Sequence, residues 1–134
     1  MAPRVHQSIK MRATILLVDD DQIVREYCNH VLAEMRYVFV LLAHTGAEAI
    51  DIADRYPGTI ELLVSDIEMP GEINGVELAE RVAISRPGIG VLLMSGCEPA
   101  TLALKHSWQF LAKPFRGGDL VSMAEAILEG RRDP

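Results

Sequence analysis

The chain has few aromatic residues, few cysteines and no long apolar run, and each shortage excludes a class of protein. Aromatic residues make up only 5% of the 134 residues, so the core must be mostly aliphatic. The two cysteines, Cys28 and Cys97, form no metal-ligand motif and suggest no disulfide framework, which favours a reducing cytoplasm. No apolar run approaches the ~20 residues of a membrane span. We therefore expect a cytoplasmic protein without a membrane partner.

An excess of positive charge is also missing. The formal net charge is −6, which disfavours nonspecific binding to nucleic acid or to an anionic membrane. Residues 1–11 lack the apolar region of a signal peptide, and we expect them to form a mobile tail. The length suits one domain, and a hydrophobic content of 49% is enough for a core. We expect that domain over residues 12–130, followed by a short tail at 131–134.

Five short aliphatic runs recur along the chain, and none of them alternates polar with apolar residues. Continuous apolar runs are typical of strands that are covered on both faces, as in parallel sheets. Segments of helical period separate the runs, so strand and helix alternate five times. This order predicts a parallel sheet with helices on both faces. The runs lie at 14–18, 38–43, 61–65, 89–94 and 109–112.

The helical segments carry recognisable start and stop signals. Apolar positions between residues 23 and 35 fall on one face of a helix, and Cys28 lies on that face as a core residue. "TGAE" (45–48) and "NGVE" (74–77) each fit a capping box at the start of a helix. Gly130 is the expected end of the last helix. The weakest segment, 98–107, is short and poorly periodic.

Charged and hydroxyl side chains follow the apolar runs. Three carboxylates at 19–21 follow the first run, although like charges so close repel by about 1 to 4 kcal/mol per pair. Asp66 follows the third run, Ser95 the fourth and Lys113 the fifth. In a parallel sheet, ligands bind beyond the carboxyl ends of the strands, so these groups are expected to meet at one edge.

This set of side chains is suited to phosphoryl transfer. Carboxylate oxygens with open positions suit Mg²⁺, which binds a few carboxylates together with water and substrate phosphate. A lysine and a hydroxyl can contact phosphoryl oxygens. A carboxylate can itself be the nucleophile and form an acyl phosphate.

Four motifs in order give the chain a family resemblance. "LLVDDD", "VSDIEMPG", "LLMSG" and "FLAKPF" together resemble the receiver domain of two-component response regulators, in its chemotaxis-regulator-like single-domain form. The resemblance runs from about residue 13 to 128. It implies an α/β fold, a three-layer α/β/α sandwich. Its five-stranded parallel sheet has the flavodoxin-like order 2-1-3-4-5, with about five helices.

The resemblance assigns a metal site and a phosphoacceptor. Asp66 is implied as the phosphoacceptor, and Mg²⁺ is implied as the cofactor, with Mn²⁺ or Ca²⁺ able to substitute. Asp20 is then the closer metal ligand, while Asp19 acts largely through water. The backbone carbonyl of Glu68 is implied as a further ligand beside Asp66.

The resemblance also assigns residues that respond to phosphorylation. Ser95 matches the hydroxyl residue that contacts the phosphoryl group, and Lys113 matches the lysine of the site. Lys113–Pro114 resembles the cis peptide of the family. Phe110 matches the aromatic switch position, so Ser95 and Phe110 form the implied switch pair.

The sequence departs from the family pattern in the lengths of two intervals. The loop over 69–78 is one residue longer than usual, and the interval between Ser95 and Lys113 is a few residues short. The fourth helix is therefore expected to be short, irregular or displaced, which affects the expected output face. Asp21 fits a helix cap, and the four histidines, which show no ligand spacing, are expected at the surface.

The resemblance implies a signalling domain that assists its own phosphorylation and dephosphorylation rather than a turnover enzyme. Its expected partners are a sensor histidine kinase or a histidine phosphotransfer protein, and an unknown downstream protein. Direct nucleic-acid contact is not expected, because only "EGRRDP" follows the last helix, and a monomer or weak homodimer is expected.

Three alternatives stay open. The chain could be the receiver fragment of a hybrid histidine kinase. It could instead be a small Mg²⁺-dependent phosphohydrolase with a D-x-D pair, Asp19 and Asp21. A third reading is a degenerate receiver that acts only as a binding module.

Overall fold

Five parallel strands form the central sheet of the computed structural model, which describes residues 12–96 and 107–132. The strand order is β2-β1-β3-β4-β5, as predicted. Among the described residues, a helix follows each of β1, β2, β3 and β5 along the chain. The elements are β1 (Ala13–Val18), α1 (Gln22–Ala33), β2 (Val38–Ala43), α2 (Gly46–Arg55), β3 (Leu62–Asp66), α3 (Gly75–Ser85), β4 (Gly90–Ser95), β5 (Gln109–Ala112) and α4 (Gly117–Arg132).

The central strands β1 and β3 are covered on both faces of the sheet, which explains their continuous apolar runs. Every residue of β1 and of β3 is buried. Leu16 and Val18 join one apolar cluster, which lies under α2 and α3. Ile15 and Leu17 join the other, which lies under α1 and α4. Because successive strand residues point to opposite faces, a strand covered on both faces favours apolar residues at consecutive positions.

The strand ends differ slightly from the sequence prediction, and the difference affects the candidate site. Asp66 and Ser95 are the last residues of β3 and β4, whereas the sequence placed each just beyond its strand. The pairing of β3 with β4 extends to Asp66, which is in register with Met94. The Ile67 N–H then donates to the Met94 carbonyl at 2.9 Å.

The helix starts match their predicted caps to different degrees. Asn74 and Glu77 form the complete capping box that the sequence predicts for α3. At α2 the box is only half formed. Thr45 accepts a hydrogen bond from the Glu48 N–H, but the Glu48 carboxylate accepts from the His44 N–H instead of the Thr45 N–H.

The last helix extends beyond its predicted end. The expected stop at Gly130 is wrong, because α4 continues to Arg132. A glycine costs a helix only about 1 kcal/mol relative to alanine, too little to end one whose earlier turns are packed. The structure describes four helices, and the predicted helical segment at 98–107 lies almost entirely outside the described residues.

Within residues 12–96 and 107–132, no helix has both the length and the apolar composition needed to cross a membrane.

Candidate functional site

Strand register brings four sequence-distant segments to one edge of the sheet. Val18 in β1 pairs with Ser65 in β3, so the next residues, Asp19 and Asp66, lie side by side. On the other flank the Lys113 N–H donates to the Ser95 carbonyl at 2.8 Å, which ties the end of β5 to the end of β4. The edge therefore carries groups from four strands, as the sequence predicts.

Three carboxylates form a cluster at this edge. One carboxylate oxygen from each of Asp19, Asp20 and Asp66 lies within 4.8 Å of the others. Asp19 is fully buried and Asp66 is only 4% exposed, whereas Asp20 is exposed. The cluster is thus open to solvent on the Asp20 side.

Lys113 faces this cluster. Its Nζ lies 3.0 Å from Asp66 Oδ1 and 3.5 Å from Asp19 Oδ2. The shorter contact is a charge-assisted hydrogen bond to Asp66, and the longer one is a weaker electrostatic contact. The peptide bond between Lys113 and Pro114 is cis, as the resemblance implied.

Hydrogen bonds from the start of α1 fix Asp19 and occupy Asp21. The Asp21 N–H donates to Asp19 Oδ1 at 2.9 Å, and Arg25 Nη1 donates to the Asp19 carbonyl at 2.7 Å. Asp21 Oδ1 accepts from the N–H groups of Ile23 and Val24. Asp21 is therefore the cap of α1, as expected, and lies outside the carboxylate cluster. The phosphohydrolase interpretation, which pairs Asp19 with Asp21, therefore lacks its second carboxylate in the cluster.

Burial controls the acidity of the two inner carboxylates. Burial raises the pKa of Asp66 to about 6, although the hydrogen bond from Lys113 acts in the opposite direction. Burial likewise raises the pKa of Asp19. Burial would lower the pKa of Lys113, but its hydrogen bond to Asp66 and the charges of Asp19 and Asp66 raise it overall.

The donor set fits a hard divalent cation. Three carboxylates face one ammonium group, so at neutral pH the cluster keeps an excess of negative charge. All of its donors are oxygens, and one side is open for water and a phosphate ligand, which is the arrangement that Mg²⁺ prefers. Asp19, Asp20 and Asp66 are the residues that could hold such an ion. The ligand role of the Glu68 carbonyl stays a prediction.

Ser95 and Phe110, the implied switch pair, lie on neighbouring strands. Ser95 is fully buried, and its Oγ donates a hydrogen bond of 2.6 Å to Glu68 Oε2. Phe110 is half-buried against the apolar cluster under α2 and α3. Neither position by itself tests the switch, which stays a prediction.

The remaining expectations about single residues concern the cysteines and the histidines. Cys28 is fully buried, and burial raises the pKa of its thiol to about 11, as suits a core cysteine. His30 and His44 are exposed as expected. Cys97 lies outside the described residues, as do His6 and His106.

Sequence reasoning missed two features of the site. A Cβ atom at Gly75 would collide with the carbonyl oxygen of Asp66, so the start of α3 packs directly on the Asp66 backbone. The only signal was the glycine that follows Asn74, which was interpreted as part of a cap. The Glu68 carboxylate was missed as a partner of Ser95, because no local pattern relates residues from different strands.

Comparison with known proteins agrees with the family resemblance of the four sequence motifs. A family model described as the response regulator receiver domain matches residues 15–125. The DNA-binding transcriptional regulator NtrC of Azospirillum brasilense is 30% identical over 126 residues, which cover 91% of this chain and 25% of that protein. Sensor kinase CckA of Brucella abortus is 33% identical over 121 residues, which cover 87% of this chain and 13% of that protein. The chain thus spans a quarter or less of these curated relatives.

Solved structures agree on the fold. The crystal structure of a response regulator receiver domain protein (CheY-like) from Methanospirillum hungatei JF-1 superposes with a TM-score of 0.81. Its sequence identity is 24%, and the match covers 90% of this chain and 97% of that one.

Proposed function

Because the chain belongs to the response regulator receiver domain family, we propose that it accepts a phosphoryl group on Asp66. The family places it in two-component signalling as a signalling domain. The observation that supports Asp66 as the acceptor is its position at the sheet edge, with Lys113 Nζ 3.0 Å from its carboxylate and two further carboxylates beside it.

The proposed reaction is an in-line transfer. A carboxylate oxygen of Asp66 forms a bond to phosphorus while the N–P bond of a phosphohistidine breaks, and the electron pair of that bond returns to the imidazole nitrogen. The Lys113 ammonium lies where it can stabilise charge on the transferring oxygens. Mg²⁺, when held by Asp19, Asp20 and Asp66, with the Glu68 carbonyl as a further ligand, would neutralise charge at the phosphoryl oxygens.

Burial of Asp66 also bears on the reaction. A carboxylate that is only 4% exposed has few competing waters, so an incoming phosphoryl group meets a poorly solvated nucleophile. At neutral pH Asp66, with a pKa of about 6, is mostly ionised and can attack. Water later hydrolyses the acyl phosphate, and Asp66 returns to its starting state.

The proposed signal is a shift between two conformations. Ser95 moves toward the phosphoryl group and Phe110 turns inward, which biases the equilibrium through contacts made only in the phosphorylated state. The proposed donor is a sensor histidine kinase or a histidine phosphotransfer protein, and the output is contact with a downstream protein. The receiver unit is proposed to span residues 12–130.

A second setting for the same chemistry is a hybrid histidine kinase. The match to sensor kinase CckA, at 33% identity over 121 residues, supports it. The chemistry proposed for Asp66 is the same in both settings, and only the source of the phosphoryl group differs.

One experiment tests the function directly. We expect acetyl phosphate or phosphoramidate, with Mg²⁺, to add one phosphoryl group to the protein, as measured by intact mass. Asp66→Asn should abolish the adduct, while Asp51→Asn, which changes an exposed carboxylate on α2, should leave it unchanged. No adduct on the wild-type protein, or an adduct that persists in Asp66→Asn, contradicts the assignment.

A further inference from the structure

The hydrogen bond between Ser95 and Glu68 joins two residues that the proposed chemistry uses separately. Ser95 ends β4, and Glu68 lies two residues beyond the end of β3, the strand that pairs with β4. The Oγ to Oε2 distance of 2.6 Å is that of a short, charge-assisted hydrogen bond. Because the Ile67 N–H is bonded to the Met94 carbonyl, the backbone between the two strands holds the pair together.

A serine hydroxyl has one hydrogen to donate, so two acceptors near Ser95 would compete for it. The hydrogen of Ser95 is given to Glu68 in this conformation. An acyl phosphate on Asp66 would present three strong acceptor oxygens at the same edge. Ser95 cannot donate its single hydrogen to Glu68 and to a phosphoryl oxygen at the same time.

We propose that Glu68 is a positioning residue that holds the Ser95 hydroxyl in the unphosphorylated protein and must release it before Ser95 can contact the phosphoryl group. This inference rests on the proposed function of Asp66. Ser95 is fully buried and Glu68 is exposed. Release therefore returns the Glu68 carboxylate to water at little cost, while the Ser95 hydroxyl gains a new acceptor inside the site.

Charge acts in the same direction as the hydrogen bond. The Glu68 carboxylate is close enough to Asp66 to contribute to its raised pKa. The same charge would repel the phosphoryl dianion. Glu68 therefore opposes the phosphorylated state in two ways, through the hydroxyl that it holds and through its own charge, and the two can be separated by mutation.

The test measures affinity for beryllofluoride, a phosphoryl analogue, with Mg²⁺ by isothermal titration. Glu68→Ala removes both the acceptor and the charge, and we expect affinity to rise about tenfold, the lower range for a hydrogen bond to a charged group. Glu68→Gln removes the charge but keeps an oxygen that can accept from Ser95, so a smaller rise is expected. Glu72→Gln removes an exposed charge from the same loop and should change affinity little.

A double-mutant cycle separates the hydroxyl from the charge. In a Ser95→Ala background there is no hydroxyl to release, so Glu68→Ala and Glu68→Gln should have equal effects. Ser95→Thr keeps a hydroxyl and should restore the difference between them. Thermal melts of each variant distinguish a change of affinity from a change of folding.

The outcomes are distinct. Equal effects of Glu68→Ala and Glu68→Gln in the wild-type background would mean that charge alone acts, and would overturn the inference. So would an effect of Glu68→Ala that is unchanged by Ser95→Ala. If the wild-type protein itself binds no beryllofluoride, the proposed function of Asp66 fails instead.

Discussion

At the scale of a single residue, the buried carboxylate of Asp66 lowers the stability of the fold at neutral pH. Its pKa rises from 3.8 to about 6 on folding because burial disfavours the carboxylate. A carboxyl group with a raised pKa stabilises the fold when it is protonated. That contribution is present below about pH 3.8 and is lost as the pH rises to about 6. At neutral pH the protein therefore carries the full penalty of an ionised Asp66.

The first prediction follows from this penalty. In the absence of divalent metal, Asp66→Asn should raise the free energy of unfolding at pH 7 by about 1 to 3 kcal/mol, measured by urea denaturation. The amide keeps the shape of the side chain but removes the buried charge.

Asp51→Asn is the matched control. Asp51 forms an exposed ion pair with Arg55 on α2, and loss of such a pair should change stability by less than about 1 kcal/mol. An Asp66→Asn protein that is less stable than wild type in chelator would show that the Lys113 contact outweighs the burial of Asp66.

At the scale of single elements, the starts of α3 and α1 shape the site. The α3 start approaches the Asp66 carbonyl so closely that only glycine fits at position 75, and the Gly75 N–H donates to the Ile67 carbonyl at 2.9 Å. The α1 start contributes Ile23 to the lining of an apolar pocket of about 560 Å³ that Lys113 also lines. One element positions the nucleophile, and the other forms a surface beside it.

The second prediction concerns Gly75. Gly75→Ala should lower the free energy of unfolding by about 2 to 4 kcal/mol, because the added methyl group meets backbone that cannot rotate away. The measurement is urea denaturation, together with the rate of labelling by acetyl phosphate. Both should fall, because displacement of α3 would also shift Asp66.

Gly130→Ala serves as the control for Gly75→Ala. A Cβ at Gly130 in α4 would meet open space, and alanine should stabilise the helix by up to about 1 kcal/mol. A Gly75→Ala protein with wild-type stability would contradict the close approach of α3 to Asp66.

The third prediction concerns Ile23, an apolar side chain that is 79% exposed beside the pocket. We propose that a protein donor covers it during transfer. Ile23→Ser should then slow phosphorylation by a histidine kinase or phosphotransfer protein about fivefold to tenfold, the size expected for loss of an interface anchor. Labelling by acetyl phosphate, which needs no docking surface, should not change.

Ile84 offers a matched control for Ile23. It is 80% exposed on α3, and Ile84→Ser removes the same apolar group from a different surface. Equal slowing by Ile84→Ser, or a loss of acetyl phosphate labelling in Ile23→Ser, would contradict a docking role for Ile23.

At the scale of the whole molecule, the sheet concentrates negative charge at one edge. Three carboxylates with one lysine leave an excess of negative charge that a bound cation would neutralise. A ligand that binds only the folded state stabilises it by mass action. A cation bound at this cluster would therefore stabilise the whole fold.

The fourth prediction tests that link. Mg²⁺ at a hundred times its dissociation constant should raise the free energy of unfolding by about 2.7 kcal/mol, measured by chemical denaturation, with a matching rise in thermal melting temperature. Ca²⁺ or Mn²⁺ should also stabilise. Potassium chloride at equal ionic strength is the control, and a melting temperature that saturating Mg²⁺ does not move would count against the site.

The order of elements and the place of the site follow from local patterns in the sequence. Continuous apolar runs require burial on both faces, and alternation with helices then requires a parallel sheet. Since the carboxyl ends of all strands of such a sheet lie at the same edge, the residues near those ends are expected to lie close together. Asp19, Asp66 and Lys113 accordingly lie together in the structure.

The contacts between elements, by contrast, follow from how the strands and helices pack. Strand register placed Asp66 and Ser95 inside their strands, and side-chain geometry paired Glu68 with Ser95. The close approach of Gly75 to Asp66 also needed the packed helix. These contacts depend on distances of a few ångströms between segments far apart in the chain, and local sequence patterns do not specify such distances.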